Sequence, residues 1–221
     1  LSYRSASQIN QAMGRVYGYM GLAVVISMLV SMGIGTNPEL VTFFFTGVMH
    51  WVVMLAPLLA VFLLVPFLNA NPPKELALLA LGGFSALMGL SFSVIFAVYT
   101  AMSIFNAFMG AAVLFGTMSF YGYFTKKDLS SMGQMMFVGL IAIIIASIIN
   151  IFIGSTVMQM VISAIAIIIF LGLTAYDTQQ IREMVSVDSS TATEVMGALT
   201  LYLDFINLFL SLLQLLGGKK E

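Results

Sequence analysis

The stretch VGLIAIIIASIINIFIG, residues 138–154, decides the fold class. It carries no charged side chain, and its apolar residues follow one another without the polar alternation of a half-buried strand. A membrane interior offers no water to unpaired backbone groups, so only helices or a closed barrel can span it. A barrel would show about ten-residue segments of alternating polarity. This stretch therefore predicts a transmembrane α-helix.

The composition extends that prediction to the whole chain. Of 221 residues, 61% are hydrophobic and 8% are charged, whereas a soluble domain carries roughly 25% charged residues. Lipid must then be the solvent over most of the surface. We predict an all-α integral membrane protein, with residues 1–221 forming a single transmembrane domain.

Length limits the number of spans, because a helix needs about 20 apolar residues to cross a bilayer. We predict seven spans, at about residues 16–35, 43–68, 76–99, 104–124, 132–153, 157–181 and 195–216. Residues 69–74 and 182–193 are predicted to be loops. The alternative is six spans with one weak segment re-entrant, which would place both termini on the same side.

Several function classes are unsupported by the sequence. The chain has no cysteine and a net charge of −1, so we expect no disulfide and no nucleic-acid partner. No nucleophile–base arrangement or phosphate loop is visible, and we expect neither an enzyme nor a bound cofactor. We also expect no removable signal peptide. His50 stands beside Trp51, which favours a position in the interfacial aromatic belt over a ligand role.

Loop charges predict the orientation, because cytoplasmic loops carry an excess of Lys and Arg. With the N-terminus inside, the cytoplasmic side would hold six of the eight basic residues and the opposite side only Lys219 and Lys220. We therefore predict a cytoplasmic N-terminus and an external C-terminus.

Two acidic residues fall inside predicted spans. Seven of the nine, Glu194 among them, are predicted to lie in loops or near span ends, but Asp177 and Asp204 lie within spans six and seven. From the helical rise, Asp204 is roughly 13 Å and Asp177 roughly 6 Å from the connecting loop. Their depths then differ by about 7 Å, which side-chain reach and helix tilt can close.

Span seven also carries a polar stripe. Its members are spaced three or four residues apart and share one helical face: Gly197, Thr200, Asp204, Asn207, Ser211 and Gln214. Span six has a shorter version near its end, which includes Thr174 and Thr178. These stripes predict faces that line a wet path or contact other helices.

An ionisable residue inside a membrane is costly and indicates a functional site by default. The alternative is a structural hydrogen bond between helices. Two such acids would share a proton and titrate as a unit. When protonated, the pair would hydrogen-bond two helices together. When deprotonated, it would repel and offer oxygen ligands to a hard cation such as Ca²⁺.

Three segments resemble the transmembrane Bax inhibitor motif family. They are GLTAYDTQQI at 172–181, ALTLYLDFINLFLSLLQLLG at 198–217 and SFYGYFTKKDLS at 119–130, the last resembling bacterial members. The resemblance implies seven helices with a central C-terminal helix surrounded by six others. It also implies a pH-responsive calcium leak, in which acids matching Asp177 and Asp204 form a hydrogen-bonded pair that regulates the pore.

The resemblance leaves the activity open in two respects. Some members carry an acid and an arginine near span two that brace the closed state, and this chain has no obvious match there. Other bacterial members resemble regulators of a membrane protease, so the alternative function is a membrane-embedded modulator of a protein partner with no flux of its own. A proton-coupled transporter is disfavoured because no internal repeat is visible. The bacterial resemblance predicts an inner-membrane location.

Overall fold

A computed structural model of the chain describes residues 4–188 and 190–220. These residues form helices and no extended strand. The helices are α1 (Ala6–Gly35), α2 (Pro38–Phe45), α3 (Gly47–Asn69), α4 (Lys74–Phe92), α5 (Val94–Val98), α6 (Ala101–Phe124), α7 (Ser130–Ile153), α8 (Thr156–Val187) and α9 (Thr191–Leu216).

Seven candidate membrane spans are long and apolar enough to cross a bilayer: α1, α3, the α4–α5 segment, α6, α7, α8 and α9. The predicted all-α fold with seven spans is thereby confirmed. Helix α9 has 61% of its most apolar window buried, against 6% for α7. Because buried residues occur around its circumference, α9 packs against other helices on several sides. The central position of α9 stays a prediction.

The predicted start of the second span was wrong. Residues 43–45 belong to α2, and the following helix begins only at Gly47. Thr46 is extended, and Gly47 has a φ of +58°, a left-handed conformation that glycine adopts without steric cost. The glycine thus separates the short helix α2 from the spanning helix α3.

The predicted loop at 182–193 was also wrong. Helix α8 continues to Val187 and α9 begins at Thr191, so the connection is only residues 188–190. The polar residues of this stretch therefore lie mostly on helix ends. Helix α1 likewise starts at Ala6, where Ser5 and Gln8 form a reciprocal capping box, which satisfies two backbone N–H groups of the first turn.

The chain divides into two compact units. Unit 1 takes its described residues from 1–100, 183–202 and 219–221, and unit 2 comprises 101–182 and 203–218. In unit 1, α1 lies close against α4, since a methyl group on Gly89 would come 2.6 Å from the Ser27 carbonyl oxygen. The Ser27 hydroxyl there lies 2.6 Å from the Tyr202 hydroxyl and 2.7 Å from the Ser85 carbonyl oxygen.

Unit 2 contains α6, α7, most of α8 and the C-terminal part of α9. Aromatic rings join α6 to α9: Phe205 has edge contacts with Phe108 and Phe115 at centroid distances of 5.4 and 5.7 Å. At the far end of α9, the Gln214 amide oxygen accepts hydrogen bonds from Gln159 (2.8 Å) and Ser163 (3.0 Å) of α8. Both predicted membrane aspartates belong to this unit.

Candidate functional site

The carboxyl groups of Asp177 of α8 and Asp204 of α9 lie close to each other, near enough to share a hydrogen bond. Asp204 is only 5% exposed, and its Oδ2 atom is buried with no hydrogen-bond partner among the described residues. Two carboxyls can hydrogen-bond only if at least one is protonated, since an ionised carboxylate is purely an acceptor. The geometry therefore fits a pair that holds a proton.

The corrected helix ends explain how the two side chains meet. Asp177 lies ten residues before the end of α8, and Asp204 lies thirteen residues after the start of α9. At 1.5 Å per residue these are depths of roughly 15 and roughly 20 Å below the connection. The depths of the two aspartates along their helices thus differ by about 5 Å, rather than by the expected 7 Å.

Close packing fixes α8 on either side of Asp177. A methyl group on Gly122 of α6 would overlap the backbone of Ala175, and one on Gly133 of α7 would come 2.5 Å from the Tyr176 ring. The Thr178 hydroxyl lies 2.9 Å from the Ser119 hydroxyl of α6. These contacts are made by Ala175, Tyr176 and Thr178, on both sides of Asp177 in the sequence, so they position its backbone.

The loop between α6 and α7 is also attached to this part of α8. The Gln179 amide oxygen accepts a hydrogen bond from the Leu129 backbone N–H at 2.9 Å, and its nitrogen donates to the Lys127 carbonyl at 2.8 Å. Arg182 donates to the Tyr123 carbonyl at 3.2 Å and lies over the Tyr123 ring. Gln179 and Arg182 thus connect the segment carrying Asp177 to the end of α6 and the start of α7.

Among the residues that the structure describes, no lysine or arginine forms an ion pair with either carboxyl. Within residues 4–188 and 190–220 there is also no group of three or more His, Cys, Asp or Glu side chains able to hold a metal ion. Within these residues the site therefore consists of two adjacent carboxyls without a basic partner.

The other predicted site residues form their hydrogen bonds away from the pair. Four donate to a carbonyl of their own helix four residues earlier: Thr174 (2.7 Å), Thr200 (3.1 Å), Asn207 (2.8 Å) and Ser211 (2.7 Å). Gln214 instead bonds to α8, near the far end of α9. Back-bonding of this kind satisfies the polar groups within each helix. Their role in lining a pore stays a prediction.

His50 has no link to the aspartates among the described residues. Its ring lies 5.7 Å from that of Trp51 and 6.2 Å from that of Phe45, and its Nδ1 atom is buried without a hydrogen-bond partner in the described part of the chain. The interfacial position predicted for it stays a prediction.

Sequence reasoning missed one ionic contact. Glu194 was expected in a loop or near the end of a span, but it lies in the first turn of α9, is 2% exposed and pairs with Arg15 of α1. A signal was available: Thr191-Ala-Thr-Glu194 has the capping-box spacing that marks a helix start just before an apolar run. That pattern would have placed Glu194 inside a helix.

Comparison with known proteins agrees with the motifs. The family model described as "Inhibitor of apoptosis-promoting Bax1" matches residues 9–221. The chain belongs to the Bax inhibitor family. Members of the Bax inhibitor family that are similar to it include the inner membrane protein YbhL of Escherichia coli strain K12, which is 36% identical over 94% of this chain and 92% of its own length.

Two further relatives come from other bacteria. An uncharacterized protein of Rickettsia prowazekii is 36% identical over 96% of the chain and 92% of its own length. An uncharacterized membrane protein of Streptococcus pyogenes serotype M1 is 36% identical over 95% and 93%. The chain is thus an integral membrane protein of the Bax inhibitor family, similar to bacterial members along nearly its whole length.

Proposed function

We propose that the chain is a pH-sensitive calcium leak in a bacterial inner membrane, gated by Asp177 and Asp204. The observation that carries the proposal is the close approach of these two membrane carboxyls, one of which is almost fully buried. The name of the Escherichia coli relative supports the location. The proposal assigns the chain no enzymatic activity and no resident cofactor. Ca²⁺ would be the transported ion, and protons would bind to the aspartate pair.

The gate follows from the charge state of the pair. With a proton present, one carboxyl donates to the other and the hydrogen bond joins α8 to α9. Without a proton, two like charges face each other in a poorly solvated site, which is strongly unfavourable. Separation of the helices relieves that repulsion and exposes carboxylate oxygens, which Ca²⁺ prefers as ligands. The leak is therefore expected to increase as pH rises through the titration of the pair.

Orientation belongs to the same proposal. Six of the eight basic residues fall on one predicted side, which by the positive-inside rule is the cytoplasm. The chain would then have its N-terminus inside and its C-terminus outside. Asp177 would lie nearer the cytoplasmic end of α8, and Asp204 near the middle of α9. The polar residues Thr200, Asn207 and Ser211 would then line or support the path.

The test is Ca²⁺ flux into proteoliposomes across pH. Asp177→Asn and Asp204→Asn each remove one charge while keeping the side chain's size, so each should flatten the pH profile and change flux by about 5- to 100-fold where the parent responds most steeply. Asp128→Asn is the matched control, because Asp128 lies in the exposed α6–α7 loop and, among the described residues, forms its hydrogen bond with Ser130.

The outcomes separate the two candidate functions. A parent profile that changes with pH, a control that follows it and two flattened variants would establish the gate. No flux above protein-free vesicles at any pH, from folded and inserted protein, would refute the leak. The remaining candidate would be a membrane-embedded modulator of a protein partner.

A further inference from the structure

An ion pair in unit 1, with a buried glutamate and a partly exposed arginine, lies outside the proposed gate itself. The Arg15 guanidinium of α1 donates from Nε to Oε2 of Glu194 at 2.7 Å and from Nη2 to Oε1 at 2.5 Å. Both oxygens of a carboxyl that is 2% exposed are thus held by one guanidinium, which is itself 42% exposed. Such two-pronged pairing gives geometric specificity as well as energy. It therefore fixes the first turn of α9 against α1.

A second arginine holds the end of α8. The Arg4 backbone N–H donates to the Ser186 carbonyl at 3.0 Å, and its guanidinium donates to the Val185 carbonyl at 3.1 Å. The last carbonyls of a helix lack partners within the helix and carry its negative dipole end. A positive side chain there is favourable. The N-terminal region of the chain thus holds both ends of the short α8–α9 connection.

The connection itself is attached to the first turn of α9 through Asp188. The Asp188 carboxylate accepts hydrogen bonds from the Ser190 backbone N–H at 2.8 Å and from the Thr193 hydroxyl. Taken with the two arginine contacts, the ends of α8 and α9 have little freedom to separate or slide. These two helices carry Asp177 and Asp204, and a rigid helix transmits a shift at its end along its length.

We propose that Arg15 and Glu194 form a positioning latch that keeps α8 and α9 in the closed arrangement and so sets how readily the aspartate pair opens. The inference rests on the proposed function. It needs no titration of the latch, because an arginine stays charged at any pH of interest. Among the described residues, two further titratable or charged groups lie near this region: Tyr19 is close to Arg15, and Arg4 is close to Asp188.

The latch predicts a specific pattern of flux. Arg15→Gln or Glu194→Gln leaves the partner without its counter-charge, and the first turn of α9 loses its attachment to α1. At the pH where the parent leaks least, flux should rise by about 5- to 100-fold. The charge-exchanged double variant, R15E with E194R, should return flux towards the parent value. Glu183→Gln, an exposed glutamate near the end of α8 in the same unit, is the matched control and should behave as the parent does.

A purely structural role would give a different result. Loss of the pair would then lower the unfolding temperature in detergent while leaving the flux and its pH profile unchanged, and that outcome overturns the latch. If the double variant does not fold, Arg15→Lys replaces it: lysine keeps the charge but not the two-pronged geometry. Flux between those of the parent and Arg15→Gln supports the latch, and flux equal to that of Arg15→Gln overturns it.

Hydrogen exchange separates failure of the latch from failure of the leak. Backbone amides at residues 191–200 should exchange faster in Glu194→Gln than in the parent, and the rescuing variant should restore protection. If the parent carries no flux, the leak is refuted while this measurement still decides the latch. Unchanged exchange in Glu194→Gln would overturn the latch.

Discussion

Gly122→Ala should destabilise the protein, because the added methyl has no room. Built on Gly122 of α6, it would come 2.8 Å from the Ala175 carbonyl carbon and 2.9 Å from its Cα atom, with the carbonyl oxygen nearer still. Carbon atoms in contact normally stay about 3.5–4.0 Å apart. The obstacle is helix backbone, which cannot rotate away as a side chain does, so α6 and α8 must move apart.

The magnitude follows from a matched pair of glycines. Gly116 lies on the same helix, is exposed and has nothing within 4 Å of the place where an alanine methyl would stand. Replacing either glycine by alanine gains about 1 kcal/mol of helix propensity, but only Gly122 incurs an overpacking cost of about 1–3 kcal/mol. Gly122→Ala should therefore be less stable than Gly116→Ala by about 1–3 kcal/mol.

Thermal unfolding in detergent, followed by circular dichroism, measures this difference. For a chain of this size each kcal/mol corresponds to about 2–4 °C, so Gly122→Ala should unfold roughly 2–12 °C below Gly116→Ala. The separation should also weaken the bond between Ser119 and Thr178, next to Asp177, and alter the pH profile of Ca²⁺ flux. Equal unfolding temperatures in the two variants would refute the close approach of α6 and α8.

Two further predictions concern other buried and capping groups. Ser27→Ala removes the serine partner of the buried Tyr202 hydroxyl and should lower the free energy of unfolding by about 1–3 kcal/mol. Tyr202→Phe leaves the serine hydroxyl two backbone carbonyls to bond with and should lower it by only about 0.5–1.5 kcal/mol. The reverse order of stability in detergent unfolding would contradict this hydrogen-bond network. Hydrogen bonds from Thr193 and Ser190 hold the pKa of Asp188 below its usual range. The parent's stability advantage over Asp188→Asn should be full above about pH 4 and vanish as pH falls through that lowered pKa, and an advantage that persists in strong acid would count against this role.

The spans could be predicted well from the sequence because every segment that crosses lipid must meet the same few requirements. Every crossing segment must be long, apolar and helical, so stretches such as residues 138–154 can be recognised directly from their composition. The same rule says little about where a helix stops outside the apolar region. Residues 182–187 are polar enough to read as loop, yet their backbone continues α8, and only contacts such as that of Arg4 with Val185 account for it.

The approach of the two aspartates was predictable for a related reason, whereas the ion pair of Glu194 was not. Asp177 and Asp204 stand out because charged residues are rare within apolar runs. Consecutive spanning helices run antiparallel, which places the two aspartates at similar depths in the membrane. Glu194 did not stand out, because an acid near a span end is ordinary. Its burial depends on Arg15, 179 residues earlier in the chain, and no local pattern reveals a partner at that separation.

The burial of α9 has a consequence for how the protein is made. Its span follows the six other candidate spans in the chain, yet more of its apolar window is buried than in any of them. While the ribosome is still producing it, side chains that will later contact it, such as Ser27 and Phe108, face lipid or insertion factors instead. Helices in a bilayer insert first and associate afterwards, so packing of the earlier spans stays incomplete until the stretch that forms α9 has been inserted. Slow translation of that stretch would prolong the interval in which membrane quality-control proteases can act on the nascent chain.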